Sequence, residues 1–148
     1  MQERSLGKVI RLYITVRAEP NRILQDAIQL DHEGVLEDKF YAKGLERSVL
    51  IASIDSYNIA KEHDIKIENG SLGENILLDW NPYHLLAGDQ FNIGEVRFEI
   101  TQNCTLCKGL SSVDPKLPKL LKNDRGIFAK VLHSGTIKIG DTIQLIEN

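Results

Sequence analysis

A mostly β fold, closed as a barrel or stacked as a sandwich and carrying a few short helices, is what this sequence predicts. Three features lead to it. From about residue 74 onward, ENILLDW, HLLAGDQFNIG, EVRFEIT, GIFAKVLHSG and TIKIGDTIQLIE follow one another as short strand-like runs separated by glycine or asparagine turns. Two phrases, LLAGDQFNIGEVRFEI and SGTIKIGDTIQLIE, nearly repeat each other. Each places a Gly-Asp pair beside β-branched residues, where glycine can take positive φ and aspartate can bond its own backbone. Helical signals, by contrast, are confined to short stretches.

The elements follow in order. KVIRLYITVR (8–17) is rich in β-branched and aromatic residues and reads as a strand. After the Pro20-Asn21 break, RILQDAIQL fits a helical turn or a strand. DHEGVLEDKFYAKGLER (31–47) is charged and broken by Gly34 and Gly44, so it reads as a surface loop that carries function. SVLIAS (48–53) is a buried strand, and Asp55 or Ser56 can cap a helix through SYNIAKEHD, with Ile54, Tyr57 and Ile59 loosely on one face. Between the last cysteine and Phe128, Pro115 and Pro118 can open a short helix over LPKLLKN. No linker or longer repeat interrupts the chain, so residues 1–148 are expected to form a single domain.

Composition narrows the class. The 148 residues are 42% hydrophobic and 26% charged, the balance of a globular chain able to bury a core without staples. A net charge of -3 provides no basic field for nucleic acid. Glu3, Arg4, Lys8 and Arg11 interrupt any apolar core that a signal peptide would need. No run approaches the roughly 20 apolar residues that span a bilayer. A cytoplasmic, membrane-free location is the expectation, and there a pair of cysteines stays reduced more readily than it forms a structural disulfide.

Those two cysteines, Cys104 and Cys107, lie in TQNCTLCKGL. Spacing leaves several readings open. A structural zinc site needs four ligands, and His32, His63, His84 and His133 are scattered. A redox pair would be expected beside a βαβ pattern, whereas the surroundings are β-rich. Both thiols could be small core residues. Against that, Thr101, Gln102, Asn103, Thr105 and Lys108 are polar, as suits a thiolate open to a ligand.

Other residues offer polar chemistry. In NGSLGENILLDW (69–80), glycines 70 and 73 turn the backbone and expose N–H groups, while Asn75 brings an amide that could contact a heterocycle or brace the loop. Glu37, Asp38, Lys39, Lys43 and Arg47 form a mixed charge cluster, either a solvated face or an anion site oriented by Asp38. Arg125, between Asp124 and Gly126, raises the same choice. No G-x-S-x-G elbow, phosphate loop or G-x-G-x-x-G is present.

In order, GVLEDKF (34–40), ERSVLIAS (46–53), NGSLGENILLD (69–79), LLAGDQFNIGEVRFEITQNCTLC (85–107) and RGIFAKVLHSGTIKIGDTIQL (125–145) resemble the MOSC family, the molybdenum cofactor sulfurase C-terminal domain, in a short stand-alone form. The resemblance implies a β-barrel-like fold and a ligand that is the molybdenum cofactor (molybdopterin) or sulfur destined for it. It implies that Cys107 ligates molybdenum or carries sulfur, a role that a soft thiolate suits. It further implies that Gly73, Glu74 and Asn75 shape the pocket, with Asp38, Lys39, Arg47 and Arg125 around an anionic pterin phosphate. Where the family motif reads R-x-P-C, this chain has Cys104, Thr105, Leu106 and Cys107, so a thiol stands at the arginine position. That leaves a Cys104-Cys107 disulfide or persulfide exchange open.

The implied partners are a molybdenum cofactor enzyme or a cysteine desulfurase, to which any pyridoxal phosphate would belong. Reduction of N-hydroxylated compounds would need an external electron donor, because no flavin or iron-sulfur motif is present. The competing expectation is a non-catalytic β-barrel interaction module whose Cys104 and Cys107 are structural or form a redox switch.

Overall fold

Strand alternation and the Gly-Asp turns set the architecture of the computed structural model, which describes residues 5–16, 22–44, 48–104 and 114–146. The strands are β1 (Gly7–Ile14), β2 (Ile23–Gln25), β3 (Ala27–Asp31), β4 (Gly34–Val35), β5 (Val49–Ser53), β6 (Ile76–Leu78), β7 (Gln90–Ile93), β8 (Val96–Asn103), β9 (Ile127–His133), β10 (Gly135–Lys138) and β11 (Thr142–Ile146). Hydrogen bonding runs β11-β7-β8-β9-β5-β6-β1, and β1 pairs back to β11 to close a seven-strand barrel. The fold is therefore the mostly β, barrel type, and the ambiguous RILQDAIQL resolves into β2 and β3. Strands β10, β3 and β4 form a separate small sheet.

Closure explains why the two Gly-Asp phrases look alike. Gly88 and Gly140 take φ of +97° and +93°, values that glycine adopts without a Cβ clash. Asp89 and Asp141 each accept the backbone N–H three residues earlier, from Leu86 and Lys138, at 2.8 Å. These matched turns launch β7 and β11, which lie side by side in antiparallel register, Asn92 opposite Gln144.

Strand β5 is buried along its whole length because it has neighbours on both faces. Val49 and Ile51 point into the barrel with Phe91, Phe98, Ile76 and Ile127. Ala52 faces outward beneath α1 (Ile54–Glu62) and the short α2 (Leu117–Leu120), in a second cluster with Tyr57, Ala60, Leu117 and Leu121. Leu50 also faces outward, against Cys104 and Phe128. Ser53, not the expected Asp55 or Ser56, caps α1 by accepting the Asp55 N–H at 3.1 Å. Because α1 carries the chain across, β5 and β6 pair in parallel, whereas the other barrel pairings are antiparallel.

Phe98 is fully buried and its ring stacks on Phe91 at 5.4 Å between centroids. Phe98→Ala is expected to lower unfolding free energy by about 3–5 kcal/mol, the usual cost of emptying an aromatic core position. Urea denaturation of both proteins checks it.

Candidate functional site

The GENI phrase sits where three elements meet. Its Asn75 backbone joins β5 and β1 at once: Asn75 N–H donates to Leu50 O at 2.8 Å and Asn75 O accepts from Tyr13 N–H at 2.8 Å. The side chain repeats the link. Asn75 Oδ1 accepts the Leu50 N–H at 3.1 Å, while Nδ2 donates to Tyr13 O and to Asp38 Oδ1, both at 3.3 Å. Every donor and acceptor of the amide is directed at a protein partner except one lone pair.

Asp38 is equally enclosed. Its Oδ1 accepts the Thr15 N–H at 2.7 Å and its Oδ2 accepts the Phe40 N–H at 3.1 Å, with the carboxylate 1% exposed. The preceding residue, Glu37, adopts φ +70°, a conformation that an L residue takes only when its surroundings hold it there. Lys39 is exposed; its ammonium lies 5.0 Å from the Phe40 ring centre, and only its backbone N–H joins the network, donating to Thr15 O.

Arg22 was not singled out in the sequence, yet it completes this cluster. Its Nη1 lies 3.8 Å from Asp38 Oδ1. Gly73, at φ +86°, leaves room for the guanidinium, since a Cβ there would come within 3.3 Å of Arg22 Nη2. Burial pushes the guanidinium below its usual pKa, and Asp38 followed by Glu74 counters that. A lone arginine in RILQ gives no spacing signal that could have marked it. Contact with Gly73 arises only when the chain closes.

Glu74 is fully buried. Its Oε2 accepts from Tyr57 Oη at 2.6 Å and from the Gly70 N–H at 3.2 Å, and Tyr57 Oη in turn accepts the N–H groups of Gly70 and Leu72 at 2.9 and 3.3 Å. Burial drives its carboxyl above the ordinary carboxylate range, opposed by the Tyr57 bond, the loop N–H groups and Arg22. Burial and Glu74 together push the Tyr57 hydroxyl well above its ordinary value. Thr15 Oγ1, Arg22 Nη1 and Glu74 Oε1 are buried and make no hydrogen bond.

A second region lies at the exit of β8. A register shift between Ile100 and Gln102 bends the strand, and the Cys104 N–H then donates to Gly126 O at 3.0 Å. Cys104 is buried with Leu50 and Phe128, apart from the main core. The Leu50 isopropyl group spans to the first region: a Cβ on Gly126 would meet Leu50 Cδ1 at 2.9 Å, and one on Gly73 would meet Cδ2 at 3.9 Å. Arg125, next to Gly126, is 5% exposed and donates from Nη2 to Pro118 O at 3.2 Å. Of the residues singled out in the sequence, Asp38, Gly73, Glu74 and Asn75 therefore come together. Arg125 belongs to the neighbouring region, Lys39 stays outside, and Cys107 and Arg47 fall outside the described residues.

Barrel closure, an outward leucine on β5 set between two loop glycines, and a cysteine at a bent strand exit define a small β-barrel domain with a polar site on its outer wall. The family model of the MOSC domain matches residues 38–144, and the chain belongs to that family. Among solved structures, YuaD from Bacillus subtilis is similar over 97% of this chain and 98% of its own, at 20% identity and TM-score 0.82. YiiM from Geobacillus stearothermophilus is similar over 99% and 76%, at 16% identity and TM-score 0.70. YiiM from Escherichia coli covers 95% and 70%, at 18% identity and TM-score 0.70. At these identities the likeness is one of fold. No curated protein matches the sequence.

Two outcomes follow. Asn75→Asp keeps the acceptor for Leu50 but loses both donors and puts a second carboxylate against Asp38. It should destabilise the protein more than Asn75→Ala at pH 7, with the gap narrowing as the pH is lowered toward 4 and the introduced carboxyl takes up a proton. Urea midpoints of both variants across that range provide the check. For Glu74, a folded pKa above the unfolded value means that the native state binds the extra proton, so stability declines as pH rises from about 4.3 through the folded pKa. Glu74→Gln removes this titration. Its stability relative to the native sequence should rise with pH, measured by denaturation at pH 5 and pH 8.

Proposed function

We propose that this chain is a molybdenum cofactor-related MOSC protein whose working thiol is Cys107, acting as a molybdenum ligand or as a sulfur carrier through a persulfide. The observation that supports it is the match over residues 38–144, which takes in the Asp38 turn, the GENI loop and the cysteine-bearing exit of β8 as one unit. Soft thiolate is suited to either task, since it binds thiophilic metals and attacks sulfane sulfur.

The residues present fit a polar, anionic cofactor in a divided way. Asp38 and Asn75 have their hydrogen bonds directed inward, so their part is to hold the wall. Thr15 Oγ1 and Arg22 Nη1, buried beside Asp38 without hydrogen bonds, retain capacity for a polar ligand. When bound, the cofactor would supply two-electron redox chemistry at a thiophilic metal. The chain's own contribution is a soft ligand from Cys107, with the Asp38 and GENI segments held rigid by Asn75. If the role is reduction of N-hydroxylated compounds, an external electron donor is the partner. If it is sulfur transfer, the partner is a cysteine desulfurase with its pyridoxal phosphate. The packing of Cys104 against Leu50 and Phe128 favours a structural role for that thiol in either case.

The test is molybdenum content and oxidised-pterin fluorescence of protein purified from a host that makes the cofactor. The native sequence should carry both, and Cys107→Ser should lose most of the metal. Equal, near-zero values in both would sink the cofactor-holding role. The carrier role predicts a persulfide mass increment on Cys107 after incubation with a cysteine desulfurase, and no increment would remove it.

A further inference from the structure

At Asp26 the chain passes from the barrel to the small sheet. Before it, β2 pairs with β1, with Ile23 opposite Ile14; after it, β3 pairs with β10, with Gln29 opposite Thr136. A strand that changes sheets within two residues opens a corner, and this one holds a cavity of about 370 Å³. Small-molecule sites occupy roughly 300–1,000 Å³. Ile14, Ile28 and Leu36 give the cavity apolar walls. Gln29 and Thr136 are cross-strand partners, so their side chains stand on one face of the small sheet, and Glu37 lines the cavity with them. Among the described residues, no hydrogen bond or ion pair engages these three side chains, and no cationic side chain lines the cavity.

Glu37 also occupies a backbone position that suits a different residue. Asp38 N–H donates to Val35 O at 3.2 Å, closing a four-residue turn in which Glu37 is third, and Glu37 takes φ +70°. Glycine or asparagine adopts positive φ at that place readily, whereas a glutamate does so under strain. Glycine would serve the turn and the Asp38 bonds as well. The glutamate side chain adds no bond to the fold, so the strain is sustained for a carboxylate that faces the cavity.

A carboxylate, a carboxamide and a hydroxyl together present acceptors to one donor-rich group. A primary ammonium carries three donors and the opposite charge, and apolar walls suit a short hydrocarbon body attached to it. We propose that this corner binds a small organic amine in its ammonium form. Glu37 pairs with the charge, Gln29 and Thr136 accept the remaining N–H groups, and Ile14, Ile28 and Leu36 cover the hydrocarbon. The site goes beyond the cofactor reading and does not depend on it: Glu37 precedes Asp38 in the chain yet takes no part in the Asn75 network.

The experiment is calorimetric titration of hexylamine and of benzylamine, with hexanol as the uncharged control, in an amine-free buffer at constant ionic strength. Protein from a host unable to make the molybdenum cofactor is used, so failure here leaves the molybdenum test untouched. Saturable binding is expected for the amines and none for hexanol. Glu37→Gln, close in shape, should weaken the amines by roughly tenfold or more, and Thr136→Val by a smaller factor. Glu37→Gly should lose amine binding yet melt no lower than the native chain, since glycine takes this backbone conformation without strain. No saturable amine binding by the native chain, equal affinity for hexanol, or undiminished binding in Glu37→Gln overturns the site. A Glu37→Gly chain that melts well below the native one makes the glutamate structural and overturns it as well.

Discussion

The wall of the candidate site depends on one side chain, the carboxamide of Asn75. Its Oδ1 takes the Leu50 N–H on β5, and its Nδ2 gives to Tyr13 O on β1 and to Asp38 Oδ1 in the turn between β4 and β5. An amide can do this because it carries a donor pair and an acceptor on one planar group. A carboxylate would lack the donors and an alkyl group would lack everything. Asp38 is buried with its charge, and such a group persists only while it is fully bonded. Asn75, the Thr15 and Phe40 N–H groups and Arg22 meet that need. Pull the amide away and the Asp38 turn keeps only its Thr15 bonds toward β1 and loses its tie to the GENI loop.

Glu74 shows how the same loop is closed from the other side. Tyr57 on α1 reaches Glu74 and two loop N–H groups, so helix and loop share one buried acid. Bonds donated to the acid lower its pKa while burial raises it, and burial prevails. Arg22 then stands between two acidic residues, which explains why its charge is tolerated in a largely enclosed position. Arg125 has no such company among the described residues. The two arginines therefore differ in kind: the first completes an internal network, and the second leaves one incomplete.

How much of this was legible beforehand follows from what each signal encodes. Turn chemistry is local, so Gly88-Asp89 and Gly140-Asp141 could be read directly, and their aspartates bond as such turns require. The apolar run at 48–53 was equally readable as a buried strand. Whether RILQDAIQL would be helix or strand was not, because the β3 part of it pairs with β10, far along the chain. Site residues were legible by type but not by direction. Asp38, Glu74 and Asn75 were recognisable as polar residues in an unusual pattern, yet only packing shows that their bonds run inward. Arg22 carried no pattern at all, and its role exists only through the space left by Gly73.

This direction of bonding bears on what the two cysteines can be. Cys104 stands where the family pattern has arginine, and its packing against Leu50 and Phe128 is that of a small apolar side chain. A guanidinium could not take that place without bringing a charge into contact with Leu50, whose isopropyl group already fills the gap between Gly73 and Gly126. The packing of Cys104 and the bulk of Leu50 are thus mutually consistent. The pair that looks symmetrical in TQNCTLCKGL is therefore read in physical terms from its first member, which packs with Leu50 and Phe128 in the barrel wall.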